Sequence, residues 1–571
     1  MQSPTPAPGP TLQIPDVALR PAWADRGSLA QARADLYSQR LVRDPKLVEA
    51  AAALENAEAG KAKRIASKFL AKHPRSADAL NIMGEIAARA HNVRDAERFL
   101  MQCVQCAPDH PAYRYNFVVA LMEGDKLQGA LAECEILLAK NPDNPLFRCL
   151  KAHLLARTRK YADASDLFRE LTVACPDSAE VWMGLANALR SLGGHADEVV
   201  SCLRTVTGFD PACGSAWWAL ASMKTVRFTD DDARIMEEQL AKSGIGPAER
   251  SDLYYALGKA CEDVKRYEKS FQYYSKGNAI RRVDLNYNPD STTRMVSRTR
   301  AVFTPELFRE LAHAGCPSAE PIFVVSLQRS GSTLTEQILG SHSQIEGAGE
   351  LQTLIQIVGA DVMPKTGPDY PNGMHRLTPD DLRSLGEKYL EQARTRLSQG
   401  KPSFVDKNCY NIWQVGLIHL MLPNARIIDV RRHPLAACWA NFTVSFAHAP
   451  PLSYKLTDIG RFYHDYVCLM AHFDRVIPGR IHRVIYENLV ADIEHETRRM
   501  LDFIGLPFEP GCLEYYKSDR AFSSFSNEQV RRPIFREGVD RWRAYEPWLG
   551  PLKAALGPVL DAYPGVPELP M

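Results

Sequence analysis

The sequence predicts an all-α repeat region followed by an α/β domain whose sheet is mainly parallel. Two patterns carry this prediction. Proline recurs every 34 residues in the first half, at Pro74, Pro108, Pro142 and Pro176. After Pro321, short apolar runs alternate with stretches of helical spacing. The first pattern is typical of stacked helix pairs, and the second is typical of strands joined by helical crossovers.

Small residues in the first half share the 34-residue interval. The two series are Ala96, Ala130 and Ala164, and then Gly84, Ala152 and Ala186, with Val118 interrupting the second. A small side chain lets two helices cross closely, and a proline ends the second helix of each pair. The pattern resembles the tetratricopeptide repeat, which implies a solenoid with a concave face. Weaker units fit residues 47–76, 214–250 and 251–284.

The second half contains four apolar runs that predict strands. They are Ile322–Val325, Ser403–Val405, Ala425–Val430 and Arg483–Tyr486. Ligands of parallel sheets bind at the carboxyl ends of the strands, so we expect the functional residues there. The predicted plan of the chain is a disordered lead at 1–26, a helical solenoid at 27–290, a linker at 291–320, the α/β domain at 321–555 and a tail at 556–571.

Composition excludes several classes of partner. The net charge of +1 over 571 residues favours neither nucleic acid nor a membrane surface. No apolar run reaches the ~18 residues that a membrane span needs. The proline-rich start lacks the basic and apolar regions of a secretory signal. Together with the odd number of cysteines, thirteen, these features predict a cytoplasmic protein with reduced thiols. The oligomeric state is left open.

The most informative segment is the loop after the first predicted strand. It reads Arg329-Ser330-Gly331-Ser332-Thr333 and leads into a helical pattern. Backbone N–H groups of such a loop point at an anion, and Arg329 adds a cation that can hold a phosphate through two hydrogen bonds. The Walker A pattern is absent, which disfavours kinase and ATPase functions. The alternative is an ordinary strand–helix turn.

Arg-Ser-Gly-Ser-Thr after a strand resembles the 5′-phosphosulfate loop of sulfotransferases, and most closely that of the tyrosylprotein sulfotransferases. The segment from about 320 to 555 looks like that family. Its combination with helical repeats resembles the bacterial tetratricopeptide-repeat sulfotransferases. The resemblance implies a P-loop-like fold, 3′-phosphoadenosine 5′-phosphosulfate (PAPS) as the sulfonate donor, a hydroxyl acceptor and no metal.

Two further elements of the resemblance supply charge. Glu350 occupies the position of the family's general base, where a carboxylate takes the proton of the attacking hydroxyl. Glu346 is the competing candidate. Lys407 occupies the position of a lysine that stabilises negative charge on the departing phosphate. The alternative for Lys407 is a surface ion pair with Asp406.

The resemblance places Arg432, in an Arg-x-Pro pattern after the third strand, at the 3′-phosphate of the donor. The family usually has a serine eight positions later, where this chain has Ala440. A lost hydrogen bond to a charged group costs about 1.5–3 kcal/mol, which predicts weaker donor binding. Asn441 and Thr443 are the candidates to compensate.

The last two elements follow the fourth predicted strand. Tyr486, in a Tyr-Glu-x-Leu pattern, would place its hydroxyl near the nucleotide, and the alternative is a core tyrosine. Ser526 precedes Gln529-Val530 in the same order as the family's catalytic serine, which assists the leaving group. Arg532 then matches the basic residue expected at the nucleotide phosphates.

These residues together predict a PAPS-dependent sulfotransferase. The predicted catalytic residues are Glu350, Lys407, Ser526 and Arg329, and the predicted donor-binding residues are Arg329, Ser330, Gly331, Ser332, Thr333, Arg432, Tyr486 and Arg532. The acceptor is left open between a protein tyrosine, a glycan, a lipid and a small phenol. The repeats predict binding of an acceptor protein or peptide. The alternative function is a partner-binding protein whose transferase domain is weak or inactive.

Overall fold

The computed structural model describes residues 27–38, 44–56, 58–223, 225–283, 285, 287–312, 314–446, 451–517, 530–534, 536 and 538–567. The predicted disordered lead lies outside these ranges. The chain divides into two compact units. The first comprises residues up to 260 together with 446–448, and the second comprises the remainder.

The first unit is built from helices joined by short turns. They are α1 (Ser28–Ser38), α2 (Pro45–Glu55), α3 (Ala59–Leu70), α4 (Ala77–Arg89), α5 (Val93–Cys106), α6 (Pro111–Glu123), α7 (Leu127–Lys140), α8 (Pro145–Arg157), α9 (Tyr161–Ala174), α10 (Ala179–Leu192), α11 (Ala196–Phe209), α12 (Gly214–Ser222), α13 (Asp230–Ala241) and α14 (Pro247–Asp263). Each proline of the 34-residue series lies in the turn after the second helix of a pair. The prediction of stacked helix pairs is confirmed.

Close helix crossings explain the small residues of the repeat. A Cβ atom at Gly84 of α4 would lie 2.5 Å from Leu100 of α5, which is closer than real Cβ contacts. A Cβ atom at Gly184 of α10 would likewise overlap the ring of Phe168 in α9. These helices therefore pack as closely as they do because one partner lacks a side chain.

The turn between the two helices of a pair has the same backbone conformation in three successive units. His91, Asp125 and Arg159, spaced 34 apart, have φ values of 55°, 56° and 64°. Gly193, a further 34 residues on, has φ 83° but ψ 162° and so lies outside the left-handed helical region. The left-handed region is uncommon for residues with a side chain, so its recurrence shows that the repeat imposes this turn on whatever residue stands there.

The second unit contains the sheet and the helices around it. The strands are β1 (Pro321–Ser326), β2 (Ile345–Gly349), β3 (Ser403–Lys407), β4 (Arg426–Arg431) and β5 (Ile481–Ile485). The helices are α15 (Tyr267–Val283), α16 (Pro289–Val302), α17 (Pro305–Glu310), α18 (Ser332–Gly340), α19 (Thr353–Ile357), α20 (Met363–Thr366), α21 (Pro379–Arg394), α22 (Val415–Met421), α23 (Pro434–Phe442), α24 (Leu456–Val476), α25 (Tyr486–Ala491), α26 (Ile493–Ile504), α27 (Gly550–Leu556) and α28 (Pro558–Ala562).

The sheet has the order β2-β3-β1-β4-β5, and every pairing is parallel. This confirms the predicted α/β architecture. β1 is buried along its whole length, as expected for a central strand covered on both faces. Beside the loop from Arg329 to Thr333, the core contains Ile322, Val324, Leu334, Val405 and Ile428.

The sequence prediction missed β2 and misplaced the end of β5. β2 reads Ile-Glu-Gly-Ala-Gly, and only Ile345 in it is a large apolar residue, so no apolar run marks this strand. The fourth predicted strand was extended to Tyr486. The strand instead ends at Ile485, and Tyr486 is the first residue of α25.

Within the predicted linker, residues 291–302 and 305–310 are helical. In α16, Thr293 donates a hydrogen bond of 2.7 Å to Asp465 of α24. The contacts also place α15 in the second unit, where Asn278 donates 2.9 Å to the carbonyl of Phe442. The solenoid boundary near residue 290 stays a prediction. Over the described parts of the chain, no helix has both the length and the apolar character that crossing a bilayer requires.

Candidate active site

The loop between β1 and α18 has a strained backbone that only particular residues allow. Arg329 has φ +64° and Gly331 has φ +103°. A Cβ atom at Gly331 would lie 2.5 Å from the ring of Tyr486, so glycine is required for both conformation and space. Ser332 and Thr333 then begin α18, where the helix N-terminus leaves backbone N–H groups without partners inside the helix.

Two side chains from other elements hold the loop from outside. Asn441 of α23 donates 2.7 Å to the carbonyl of Gln328, and Arg432 donates 3.1 Å to the carbonyl of Arg329. Because these bonds engage carbonyl groups, they leave the N–H face of the loop available to an anion. The loop is therefore fixed in its conformation without a ligand.

An open cleft of about 590 Å³ lies along this loop. Its lining combines the loop with residues of α18, the β4–α23 connection, α25 and the C-terminal segment, namely Arg329, Gly331, Ser332, Thr333, Leu334, Arg432, Tyr486, Val490, Tyr515, Val530 and Ile534. The lining thus combines cations and hydroxyl groups with apolar and aromatic side chains. Such a lining suits a ligand that joins an anionic group to a flat, apolar ring.

Positive charge is concentrated at the loop end. Burial lowers the pKa of Arg329 to about 10, and the guanidinium groups of Arg432 and Arg541 contribute to the shift. Burial also lowers the pKa of Arg432. Three cations that disfavour one another's charge would be stabilised by a bound anion. The electrostatics therefore support an anion site at the loop.

Lys407 and Glu350 form an ion pair beside the loop. They stand at the carboxyl ends of the neighbouring strands β3 and β2, and Lys407 Nζ donates to Glu350 Oε1. The Lys407 side chain is 3% exposed and that of Glu350 is 53% exposed. Burial alone would lower the pKa of Lys407, but the carboxylates of Glu350 and Glu336 hold it above its ordinary value. The ammonium is fixed, whereas the carboxylate is accessible.

The alternative partner for Lys407 is excluded by the geometry of the strand. Asp406 and Lys407 are consecutive in β3, so their side chains point to opposite faces of the sheet. Asp406 is buried and accepts hydrogen bonds from Tyr389 Oη at 2.8 Å and from Asn411 Nδ2 at 3.3 Å. The surface ion pair that the sequence left open does not form.

Glu346, the competing base, has a structural position. It is buried, and its carboxylate accepts hydrogen bonds from the backbone N–H groups of Ser398 and Gln399 at 2.8 and 2.9 Å. Its side chain therefore holds the segment before β3. Glu350, by contrast, directly follows β2, and its side chain is half exposed.

Arg432 joins the segments that surround the cleft. One guanidinium nitrogen donates to Arg329 O, another donates to Gly538 O, and Cζ lies 4.9 Å from the centre of the Tyr486 ring. Its Nε is buried and makes no hydrogen bond within the described ranges. Arg432 thus has one donor uncommitted, while its other bonds position the loop and Tyr486.

Ala440 lies in α23 close to the loop, and Asn441 does not replace the missing serine. Both hydrogens of the Asn441 amide are committed, to Gln328 O and to Ala437 O at 2.9 Å. Thr443 is buried at the end of the helix. Ala440 therefore lacks the hydroxyl donor that the family has at this position, and the neighbouring Asn441 has no free amide hydrogen to replace it.

The remaining predicted residues divide into three cases. Ser330 Oγ is buried without a hydrogen-bond partner among the described residues, so this side chain points into the protein. Arg532 is exposed, and its carbonyl accepts a hydrogen bond of 3.0 Å from Tyr515 Oη. Ser526 lies outside the described residues, as does the stretch around it.

Sequence reasoning missed two residues that support the site. Glu336 of α18 accepts a hydrogen bond of 3.0 Å from the backbone N–H of Gly349 and so fixes the end of β2 next to Glu350. Cys409 is buried beneath the loop, with Sγ 3.3 Å from Ser326 Oγ and 3.8 Å from Ser332 Oγ. Neither residue belongs to a recognisable motif, and only spatial proximity identifies it.

The parallel sheet, the strand–loop–helix turn and the cationic cleft define an α/β domain whose loop has the features of an anion site. Residues 321–510 match the model of the sulfotransferase family, and residues 149–211 match that of the tetratricopeptide repeat. The chain therefore carries tetratricopeptide repeats and a domain of the sulfotransferase family.

Three comparisons illustrate the range of similarity. An uncharacterized protein of Aquifex aeolicus (strain VF5) is 33% identical over 418 residues, which cover 72% of this chain and 54% of that protein. A putative protein-tyrosine sulfotransferase of Caenorhabditis briggsae is 22% identical, covering 39% of this chain and 80% of that protein. The solved sulfotransferase domain of the Synechococcus PCC 7002 olefin synthase is 23% identical, covering 40% of this chain and 88% of that domain, with a TM-score of 0.30. The chain thus spans about half the length of the Aquifex protein.

Proposed function

We propose that the second unit transfers a sulfonate group from PAPS to an acceptor hydroxyl. The observation that carries this proposal is the ion pair between buried Lys407 and accessible Glu350, next to a cationic loop. A sulfonate transfer needs a base for the acceptor proton and a cation for the departing phosphate, and these groups are the two members of the pair.

In the proposed reaction, the acceptor oxygen attacks the sulfur atom. An S–O bond to the acceptor forms while the S–O bond to the 5′-phosphate breaks, and the electron pair of that bond leaves with the phosphate. Glu350 takes the acceptor proton. Lys407 and Arg329 stabilise the charge on the leaving 3′-phosphoadenosine 5′-phosphate. The products are this bisphosphate and a sulfate ester, so atoms and charge balance.

Each member of the ion pair would perform one of the two tasks, Glu350 as the base and Lys407 as the cation. Lys407 is buried and can shift its hydrogen bond from Glu350 to the donor without moving far, whereas the carboxylate of Glu350 faces the solvent side where an acceptor would enter. The loop N–H groups with Ser332 and Thr333 would hold the 5′-phosphosulfate. Arg432, which lines the cleft, would contact the 3′-phosphate through its guanidinium group.

We propose a protein tyrosine as the acceptor. Support comes from the loop sequence and from the similarity to the Caenorhabditis briggsae protein, whose name gives it as a putative protein-tyrosine sulfotransferase. The repeats, a class of domain that binds proteins, support a polypeptide acceptor over a glycan, a lipid or a small phenol.

The test is incubation of the purified full chain with ³⁵S-labelled PAPS and a lysate, followed by fractionation. We expect ³⁵S label in protein, and we expect it to be lost with Glu350→Gln. Glu346→Gln is the matched control and should retain transfer. Absence of both label transfer and bisphosphate binding by calorimetry would contradict sulfonate transfer, whereas label in lipid or small molecules would contradict only the acceptor.

A second candidate function rests on Ala440. With both amide hydrogens of Asn441 committed, the donor site has one hydroxyl fewer than the family pattern. The second candidate is a partner-binding protein whose transferase domain binds the bisphosphate but turns over weakly. Bisphosphate binding without detectable transfer to any fraction would favour it.

A further inference from the structure

Helix α1 lies against the inner helices of the repeat region without belonging to a helix pair. The pairs begin with α2 and α3, and α1 contacts α6 and α8, the first helices of their pairs. Ser28 N and Oγ both donate to Asp177 Oδ1, at 3.1 and 2.6 Å, at the start of α10. The solenoid is therefore complete without α1, which occupies the groove along its inner face.

One side of α1 carries the residues that contact the groove. Leu29, Arg33, Leu36 and Tyr37 recur at helical spacing, and the first three are buried. Gln31, which lies on the other side, is exposed and donates a hydrogen bond of 2.8 Å to Asp35 of the same helix. The face of α1 that meets the groove therefore carries two leucines, an arginine and a tyrosine.

The arginine is the central anchor. Arg33 Nη2 donates 2.8 Å to Glu180 of α10, and the two side chains are only 9% and 18% exposed. Burial alone would raise the pKa of Glu180, but His153 and Arg33 bring it down to about 2. With α1 in place, Glu180 is therefore ionised, and Arg33 supplies a cation to this buried carboxylate beside His153 of α8.

The tyrosine is the second anchor. Tyr37 Oη donates 2.6 Å to Asn116 Oδ1. The amide of Asn116 in turn donates to Asn81 Oδ1 at 3.0 Å and to Glu85 Oε1 at 3.2 Å. The acceptor that meets Tyr37 is thus oriented by residues of α4 and α6 themselves, so the groove holds it ready for a hydroxyl donor.

We propose that this groove is a binding site for a helical segment of a partner protein that carries Arg-x-x-x-Tyr with leucines on the same face, and that α1 is an internal occupant that competes with it. The anchors are polar and α1 is 11 residues long, so its hold depends on few contacts that another helix can reproduce. The groove presents an ionised carboxylate and an oriented amide, which select that chemistry. This inference is independent of sulfonate transfer.

The test uses a labelled peptide with the sequence of residues 27–38 and the full-length chain, measured by fluorescence anisotropy. In the chain variant Arg33→Glu, repulsion from Glu180 should release α1, and we expect the peptide to bind at least tenfold more tightly than to the wild-type chain. Adding Glu180→Gln to that variant should abolish the gain. A peptide with Arg33→Ala should lose binding, and one with Gln31→Ala should keep it.

Equal binding to the wild-type and Arg33→Glu chains, or binding that Glu180→Gln does not change, would overturn the proposal. If circular dichroism shows that Arg33→Glu is unfolded, Tyr37→Phe provides the same test, since it removes one hydroxyl and no packing. It should bind the peptide several-fold more tightly than the wild type, and unchanged binding would overturn the proposal. Self-association of the wild-type chain that the peptide reverses would assign the groove to a second copy's α1 instead.

Discussion

An ion pair of the repeat region, Arg33–Glu180, and an ion pair of the sulfotransferase domain, Lys407–Glu350, differ in the exposure of their side chains. Arg33 and Glu180 are both largely buried, at 9% and 18%. Lys407 is buried at 3%, but Glu350 is 53% exposed. In the first pair, each buried charge is compensated by the other. In the second, one charge is fixed while the other can exchange its partner.

This difference separates a docking contact from a reactive one. A buried pair loses most of its stability when either partner is removed, because the other charge stays desolvated. A half-exposed carboxylate such as that of Glu350 can return to water at little cost and so can leave its partner during a reaction, although deleting it still leaves Lys407 buried without its charge partner. Four experiments test this comparison, in order of decreasing effect.

The largest effect is expected from Glu350→Gln. Removing a general base lowers kcat by about 100- to 10,000-fold. The melting temperature should also fall, because the buried Lys407 ammonium loses the carboxylate that compensates its charge. Radiolabel transfer from PAPS measures the first quantity and calorimetry the second. Loss of transfer in Glu346→Gln with retained transfer in Glu350→Gln would reverse the assignment of the base.

Glu180→Ala should destabilise the repeat region by about 2–3 kcal/mol, because it leaves the Arg33 guanidinium buried opposite no carboxylate. Chemical denaturation followed by circular dichroism gives this value. The matched control is Glu198→Ala, which breaks the pair with Arg169, where the side chains are 38% and 39% exposed. The loss of unfolding free energy in Glu198→Ala should stay below about 1 kcal/mol. Equal losses in the two variants would remove the distinction drawn above.

Stability should fall as pH rises from about 4 to 7 because of Asp406. Burial raises the pKa of Asp406 to about 7, against the hydrogen bonds of Tyr389, Leu351 and Asn411. The folded state therefore holds a proton that the unfolded state releases above its ordinary pKa near 4, so the contribution is complete below pH 4 and lost through pH 7. We expect a change on the order of 2 kcal/mol. Asp406→Asn should flatten it, and exposed Asp380→Asn should not.

The smallest effect is expected from Ala440→Ser. A restored hydroxyl donor should tighten binding of 3′-phosphoadenosine 5′-phosphate about two- to tenfold, equivalent to 0.5–1.5 kcal/mol. Isothermal titration calorimetry measures it directly, and the melting temperature without ligand should not change. Unchanged affinity would mean that position 440 does not reach the nucleotide.

The parts of this structure that sequence could predict are those that repeat or that form a local turn. The 34-residue period predicted the helix pairs because close crossings demand a small residue at the same place each time. The loop from Arg329 to Thr333 was recognisable because strand, glycine and helix follow one another directly. The first signal recurs at a fixed interval along the chain, and the second lies within a few consecutive residues.

What sequence could not predict depends on contacts between distant segments. The pairing of Glu350 with Lys407 requires β2 next to β3, but β2 has no apolar run and the strand order does not follow the chain. The burial of Asp406 follows from Tyr389, which lies in a helix 17 positions earlier. Likewise, nothing within residues 28–38 indicates that Arg33 meets Glu180 across 147 positions.

The left-handed turn residues of the repeat region have a consequence for how the chain tolerates insertions. His91, Asp125 and Arg159 set the same reversal at intervals of 34 residues, although they share no side-chain chemistry. The pitch of the solenoid is thus encoded in backbone geometry, unit by unit. A duplicated block of 34 residues would keep every turn in phase and lengthen the inner groove, whereas an insertion of any other length would rotate all the units that follow it.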